Sequence, residues 1–155
     1  MSIDFVADDE ILYRRVPRIE GLYVIQNDKT VRVSTAAFSD RAFRPSVDRA
    51  RLHQHNPKRI QREPSDGVVS VVTLDVRSID TVVQQDKDKN TLQIFTVDVE
   101  HVPILNDAVL PDNLAHAEIY TKPPCPNRSI FRKLAERLAQ LANERGWDIE
   151  LQGLP

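Results

Sequence analysis

The sequence predicts an α+β domain in which a single mixed or antiparallel β-sheet is packed by a C-terminal amphipathic helix. Short β-prone segments separated by turn residues follow one another from residue 11 to residue 121. A stretch with helical spacing comes after them. At 155 residues, with 41% hydrophobic and 28% charged residues, the chain suits one hydrophobic core. We therefore predict a single domain over residues 1–155.

The N-terminal part is predicted to be extended. Residues 1–10 are acidic and are expected to be flexible. Residues 11–18 hold apolar residues beside Tyr13, Arg14 and Arg15, and Pro17 argues against a helix there. Residues 22–26 and 30–34 are β-prone and are separated by a polar turn, so we predict a first β-hairpin.

The next part predicts a short helix and a long basic loop. Ser46 can cap a helix over residues 47–53, which contain no helix breaker. Residues 53–66 are polar and rich in turn residues, and we expect a mobile loop. Residues 67–76 are dominated by valine and predict a strand that is buried on both faces at the centre of the sheet.

Two further strand regions precede the C-terminal helix. Residues 81–85 and 91–99 flank a charged turn and predict a second hairpin. Residues 116–121 predict a strand, with His116, Glu118 and Tyr120 on one face.

The helix is predicted to begin near Ser129 and to end at Gly146. Its apolar stripe consists of Ile130, Leu134, Leu138, Leu141 and Ala142. After the helix, Trp147 and its neighbours are expected to return to the sheet.

Charge is unevenly distributed, although the net charge is only −2. Residues 41–62, here called the basic stretch, hold seven basic residues and one acidic residue: Arg41, Arg44, Arg49, Arg51, Lys58, Arg59, Arg62 and Asp48. Such segregation favours an acidic or phosphate-rich partner. Our first hypothesis is therefore a binding or accessory protein without catalysis that recognises a protein partner through this stretch. The candidate binding residues are Arg14, Arg15, Arg41, Arg44, Ser46, Arg49, Arg51 and Asn113.

A second hypothesis is an enzyme of the hydrolase or nuclease type. His116 could act with Asp48 or Asp112 as acid, base or orienting group if the fold brings them into one cleft. Ser46 and Asn113 could join them. The competing interpretation is that Ser46 and Asp48 stabilise a helix start, whereas Asp112 and Asn113 shape a turn.

A third hypothesis is a nucleic-acid-binding module, because Phe38 and Phe43 lie beside the basic stretch and could stack on bases.

His53 and His55 are interpreted as an exposed pair in a polar loop, and the single Cys125 as an incidental thiol. Four scattered glycines disfavour a dinucleotide or P-loop site. Neither a cofactor nor a metal site is predicted.

No segment has the pattern of a signal peptide or a membrane span, and a lone cysteine suits a reducing compartment, so we expect a cytoplasmic protein. Four segments resemble an uncharacterised family of small bacterial proteins: residues 12–17 (LYRRVP), 34–38 (STAAF), 46–48 (SVD) and 113–117 (NLAHA). This resemblance covers most of the chain and implies a bacterial origin without implying an activity.

Overall fold

The computed structural model describes residues 3–155 and contains a six-stranded antiparallel β-sheet, which confirms the predicted α+β class. The strands and helices are β1 Ile11–Val16, β2 Tyr23–Ile25, β3 Val31–Val33, β4 Ser46–Arg49, β5 Gly67–Val72, α1 Thr73–Arg77, β6 Val83–Gln85, β7 Thr91–Ile94, β8 Thr96–His101, β9 His116–Lys122, α2 Arg128–Arg145 and β10 Trp147–Ile149. Three 3₁₀ helices span Thr35–Phe38, Ala50–His53 and Pro57–Ile60. The strand order of the main sheet is β10-β5-β1-β4-β9-β8, and β2-β3 forms a small sheet that corresponds to the first predicted hairpin. The second predicted hairpin is confirmed only for β6-β7, because the predicted strand over residues 91–99 is divided at Phe95 and its second part is β8 of the main sheet.

Helix α2 covers one face of the main sheet, as its apolar stripe predicts. Leu134 and Leu138 are fully buried in a core that includes Leu12 and Ile119 from the sheet. The predicted cap is wrong by two residues, because Asn127 Oδ1 accepts a hydrogen bond from the backbone of the first helical turn at 3.0 Å. An amide oxygen two residues earlier than Ser129 therefore begins the helix.

The predicted strand over residues 67–76 is too long. Strand β5 lies inside the sheet between β1 and β10, as expected, but it ends at Val72 and α1 follows. The carbonyl oxygen of Glu10 accepts hydrogen bonds from both the backbone N–H and the hydroxyl of Thr73, each at 2.9 Å. Leu74 N–H donates to Asp8 O at 2.8 Å. These bonds hold residues 73–77 in a helical turn, although the β-branched residues of this segment favour a strand.

The predicted helix over residues 47–53 is also wrong in its first half. Ser46–Arg49 forms β4, which pairs with β1 on one side and β9 on the other. Residues Val47 and Arg49 are buried, and Ser46 and Asp48 lie on the opposite face. Only Ala50–His53 is helical, as one 3₁₀ turn. Pairing on both sides outweighs the weak helix propensity of four residues, because a single turn is unstable alone.

The N-terminal segment packs against the sheet from residue 3 onward. Val6 and Glu10 are buried, and the carbonyl oxygens of Ile3 and Phe5 accept hydrogen bonds from the Arg49 guanidinium. Residues 1 and 2 of the predicted flexible N-terminus lie outside the described residues.

The segment over residues 53–66 carries a 3₁₀ helix and a turn closed by an acidic side chain. Asn56 Oδ1 caps the helix Pro57–Ile60 by accepting from Lys58 N–H at 3.2 Å. The Asp66 carboxylate accepts from the backbone N–H groups of Arg62 at 2.9 Å and Glu63 at 3.1 Å.

Among residues 3–155, no helix is long and apolar enough to cross a bilayer.

Candidate functional site

The face of the main sheet opposite α2 carries a row of polar side chains. Strand pairing sets Tyr13 beside Asp48, and Asp48 beside His116. Because paired residues of an antiparallel sheet point to the same side, these three side chains share one face. Ser46 lies two residues before Asp48 and therefore points the same way.

A cleft of about 640 Å³ lies on this face. Seven of the residues nominated from the sequence line it: Arg14, Arg15, Ser46, Asp48, Asp112, Asn113 and His116. The other four, Arg41, Arg44, Arg49 and Arg51, do not. Tyr13 and residues 59–62 and 110–113 also line it, so the cleft combines segments that are spread over about 100 residues of sequence.

Ser46 and His116 form a hydrogen-bonded pair in the cleft. The His116 Nε2 atom lies 3.0 Å from Ser46 Oγ, and His116 Nδ1 lies 2.7 Å from the carbonyl oxygen of Val102. A carbonyl only accepts, so Nδ1 carries a proton and donates it. In the neutral ring, Nε2 is then the acceptor and Ser46 is the donor. The backbone of Val102 thus fixes the tautomer in which His116 can take a proton from Ser46.

Asp48 pairs with His53, not with His116. Asp48 Oδ2 lies 2.8 Å from His53 Nε2, and both Asp48 carboxylate oxygens accept from Asn113 Nδ2 at 3.2 Å. In the described part of the chain, His53 Nδ1 has no hydrogen-bond partner. The predicted pairing of His116 with Asp48 is therefore replaced by two separate pairs on the same cleft.

Asp112 is an exposed residue of the loop before β9 and does not pair with His116 either. Its Oδ1 accepts from the backbone N–H of Asn106 at 3.0 Å. Both ring nitrogens of His116 are already engaged by Val102 and Ser46. Asp112 and His116 are therefore not in hydrogen-bond contact, contrary to the prediction. The Asp112 carboxylate instead stabilises the loop over residues 106–112.

Arg14 connects Ser46 to the 3₁₀ helix Thr35–Phe38. Its guanidinium donates to the carbonyl oxygens of Ser46 at 2.7 Å, Ala37 at 2.9 Å and Ser39 at 3.2 Å. Burial lowers the pKa of Arg14 to about 10, so it remains charged at neutral pH. Its hydrogen bonds go to neutral carbonyl groups, and Asp40 is the nearby carboxylate that partly offsets its charge.

The basic stretch does not form one continuous basic surface. Arg44 pairs with Glu118 at 2.7 Å and with Glu100. Arg49 is fully buried and pairs with Glu10, at 2.8 Å from Nε to Oε1. These two candidate binding residues are therefore structural. The other basic residues of the stretch are exposed: Arg41, Arg51, Lys58, Arg59 and Arg62.

The two aromatic residues that were predicted to stack on bases are engaged elsewhere. Phe38 is fully buried, and the Arg14 guanidinium lies 5.7 Å from its ring centroid. Phe43 stacks on Phe131 of α2, with ring centroids 5.0 Å apart. A buried ring offers no face to a base, so Phe38 lends no support to nucleic-acid binding.

The interpretation of His53 as an exposed loop residue is wrong, because its side chain is only 16% exposed and pairs with Asp48. The 3₁₀ turn Ala50–His53 follows β4 directly and carries His53 back over Asp48. The only signal in the sequence is an aspartate followed five residues later by a histidine, which is unspecific unless the turn between them is known.

Within residues 3–155, no group of three or more histidine, cysteine, aspartate or glutamate side chains is placed to hold a metal ion. The polar groups that line the cleft include the hydroxyls of Ser46 and Tyr13, the imidazoles of His53 and His116, two carboxylates, the Asn113 amide and four guanidinium groups. No protein-family model, no curated protein and no solved structure matches this chain.

Proposed function

We propose that this protein is a hydrolase in which Ser46 is the nucleophile and His116 is the general base. The observation that carries this proposal is the 3.0 Å contact between Ser46 Oγ and His116 Nε2, with the ring oriented by the Val102 carbonyl. A serine hydroxyl is a weak nucleophile until a neighbouring base removes its proton. A base whose tautomer is fixed by a third group is the arrangement that this activation needs.

The reaction divides into two steps. Ser46 Oγ forms a bond to the electrophilic centre of an ester while its proton moves to His116 Nε2. The bond to the leaving alcohol breaks, and that alcohol departs with the proton from His116. Water then attacks the covalent intermediate and gives a proton to His116, which returns it to Ser46 as the acid product leaves. Atoms and charge balance over the cycle.

Arg14 supports this chemistry as a positioning residue. Its Nη1 holds the carbonyl oxygen of Ser46 at 2.7 Å, and it ties that residue to two further carbonyl groups of residues 37–39. The carbonyl group of the nucleophile's own residue is thereby held in place, which helps to keep Oγ within reach of His116.

The test is covalent labelling by an uncharged alkyl fluorophosphonate, which reacts with activated serines irrespective of the natural substrate. We expect intact-mass spectrometry to show one adduct on the wild type and peptide mapping to place it on Ser46. Ser46→Ala should abolish labelling. His116→Gln should slow it by about 10²-fold or more, since it removes the general base.

Ser129→Ala is the matched control, because Ser129 is exposed and lies outside the cleft. Its labelling rate should equal that of the wild type. Far-UV circular dichroism of each variant establishes that loss of labelling is not loss of folding. An unlabelled wild-type protein, or equal labelling of Ser46→Ala, contradicts the proposal.

A second candidate function is binding of an acidic protein partner, favoured by the exposed basic residues that remain at Arg51, Lys58, Arg59 and Arg62. Affinity purification at moderate salt with wild type and with an Arg51→Glu, Lys58→Glu variant tests this function. A partner retained only by the wild type supports it, and equal recovery contradicts it. Recovery of nucleic acid with a steep salt dependence would instead favour the third hypothesis.

A further inference from the structure

We infer that the cleft binds a phosphate group through Arg59 and Arg62, so that the substrate of the hydrolase is a phosphate-bearing ester. The inference rests on the proposed function only in so far as it places this phosphate group in a substrate that reacts with Ser46. The binding of phosphate itself follows from the charges of the cleft and can be measured separately.

The cleft has more positive than negative charge. Four guanidinium groups, those of Arg14, Arg15, Arg59 and Arg62, line it together with two carboxylates, those of Asp48 and Asp112. Because Arg15 is offset by its ion-pair partner Asp66, which is not part of the lining, one positive charge remains in excess. A concave surface with one sign of charge concentrates ligands of the other sign, so an anionic ligand fits this site.

Both carboxylates of the lining already have partners. Asp48 accepts from Asn113 and contacts His53, and Asp112 accepts from the backbone of Asn106. Neither is hydrogen-bonded to an arginine of the cleft. Neither carboxylate therefore occupies the hydrogen-bond donors of Arg59 or Arg62.

The four arginines of the cleft differ in whether their guanidinium groups already have hydrogen-bond or ion-pair partners. Arg15 pairs with the buried Asp66 at 3.2 Å, and Arg14 donates to backbone carbonyl groups. The guanidinium groups of Arg59 and Arg62 make no ion pair or hydrogen bond within residues 3–155. These two arginines therefore carry the unused donors of the cleft.

Two free guanidinium groups match a phosphate better than a carboxylate. Each guanidinium presents a planar fork of N–H donors, and two forks offer more donors than the two oxygens of one carboxylate accept in bidentate geometry. A phosphate monoester presents three terminal oxygens and close to two negative charges at neutral pH. It can therefore satisfy both forks and offset the charge excess of the lining.

The experiment measures whether inorganic phosphate protects Ser46 from the uncharged fluorophosphonate, at constant ionic strength maintained with sodium chloride. We expect phosphate to slow labelling of the wild type. In the double variant Arg59→Gln, Arg62→Gln, half-protection should require about tenfold more phosphate or higher, since charge-assisted hydrogen bonds are lost. Protection is expressed relative to the labelling rate of each protein without phosphate.

The matched control is Arg51→Gln, Lys58→Gln. It removes two positive charges from the same stretch of sequence, at exposed positions that do not line the cleft. It should be protected like the wild type. If this control loses protection equally, general electrostatic attraction explains the effect and the site at Arg59 and Arg62 is contradicted.

Titration calorimetry with inorganic phosphate separates this inference from the proposed function. A wild type that is labelled at Ser46 but neither binds phosphate nor is protected by it overturns the inference and leaves the hydrolase proposal standing. A wild type that is not labelled but binds phosphate, with weaker binding by the Arg59 and Arg62 variant only, supports the phosphate site and overturns the nucleophile.

Discussion

The side chain of Arg49 places a positive charge in the interior of the protein, where an unpaired charge is strongly unfavourable. Glu10 supplies two hydrogen bonds, at 2.8 and 2.9 Å, and carbonyl oxygens of the N-terminal segment supply two more. His101 Nδ1 lies 3.1 Å from the same guanidinium. The charge thus fastens residues 3–10 to β4, which makes Arg49 a stabilising residue and not part of a binding surface.

We expect Arg49→Gln to lower the free energy of unfolding by about 3–5 kcal/mol, because it leaves the Glu10 carboxylate buried without its counter-charge. Urea denaturation followed by circular dichroism measures this loss. Arg51→Gln is the matched control, since Arg51 is exposed two residues away. The control should change stability by no more than about 0.5 kcal/mol. Equal stability of the two variants would contradict a buried ion pair.

Glu10 also predicts a dependence of stability on pH. Burial works to raise its pKa, but hydrogen bonds from Arg49 and the Ala7 backbone outweigh burial and hold that pKa below the ordinary value of 4.5. A carboxyl group with a lowered folded-state pKa contributes stability above its unfolded-state pKa and loses it as the pH falls through the folded-state pKa. The stability difference between wild type and Glu10→Gln should therefore be full at pH 7 and shrink below about pH 4.5. A difference that is constant from pH 7 to pH 3 would show that the carboxylate charge does not stabilise the fold.

The sequence predicted several of the polar residues of the cleft but not their pairing. His116, Asp48, Ser46 and Asn113 were nominated as polar residues near strands or turns, and all four line the cleft. The partner of Asp48 depends on a 3₁₀ turn that returns His53 to it, and no local periodicity encodes that turn. Hydrogen-bond partners are chosen by tertiary geometry, which residue types alone do not specify.

At the scale of elements, strand β4 shows how pairing can override local preference. Its four residues follow a plausible cap and contain no helix breaker, yet β1 and β9 flank them on both sides. In the strand, Ser46 and Asp48 face the cleft, whereas a helix would have spread them around its axis. The strand assignment is therefore what places the proposed nucleophile beside His116. By contrast, α2 was predicted well, because its apolar stripe from Ile130 to Ala142 persists over more than three turns.

The start of α2 offers a direct comparison of two capping candidates. Asn127→Ala should lower the free energy of unfolding by about 0.5–2 kcal/mol, because its side chain accepts the Ile130 N–H at 3.0 Å. Ser129→Ala should cost less than about 0.5 kcal/mol, since Ser129 is exposed and follows the first helical residue. Thermal or urea unfolding measures both. If Ser129→Ala lowers the free energy of unfolding more than Asn127→Ala does, Ser129 is the cap, as the sequence predicted.

Gly67 in β5 lies where the returning strand β10 crosses closely. A Cβ atom there would lie 2.5 Å from Cζ3 of Trp147 and 3.2 Å from the Ile149 carbonyl oxygen. We expect Gly67→Ala to destabilise the protein by about 1–3 kcal/mol through overpacking. It should also shift the native fluorescence of Trp147, the only tryptophan, whose Nε1 donates to Val31 O at 2.8 Å.

A double-mutant cycle isolates that contact. In a Trp147→Leu background, the indole is absent and Gly67→Ala should cost less than it does in the wild type, by urea denaturation followed with circular dichroism. Equal costs in the two backgrounds would place the strain on the backbone of Ile149 instead of on the tryptophan ring.

For the whole molecule, the cleft exists only because distant segments meet on one sheet. Ser46 and His116 are 70 residues apart, and Asp48 and Asn113 are 65 apart. The class of fold could be predicted, since it follows from local patterns. The order of the strands could not, because β1, β4 and β9 become neighbours through long connections that carry no periodic signal. For the same reason, some residues of the cleft could be predicted from the sequence, whereas their arrangement in space could not.

The same assembly predicts that the molecule unfolds as one unit. One core cluster joins Val6 of the N-terminal segment, Phe38, Phe95 and Leu138, and so includes parts of both halves of the chain. Leu138→Ala should therefore lower the free energy of unfolding by about 2–5 kcal/mol. Midpoints from Trp147 fluorescence and far-UV circular dichroism should fall together, as a cooperative two-state transition requires. Leu92→Ala is the control, because Leu92 is 62% exposed and its loss should cost less than about 0.5 kcal/mol. If the two midpoints separate in Leu138→Ala, the sheet and the helix layer unfold independently, and the cleft cannot be treated as part of one cooperative structure.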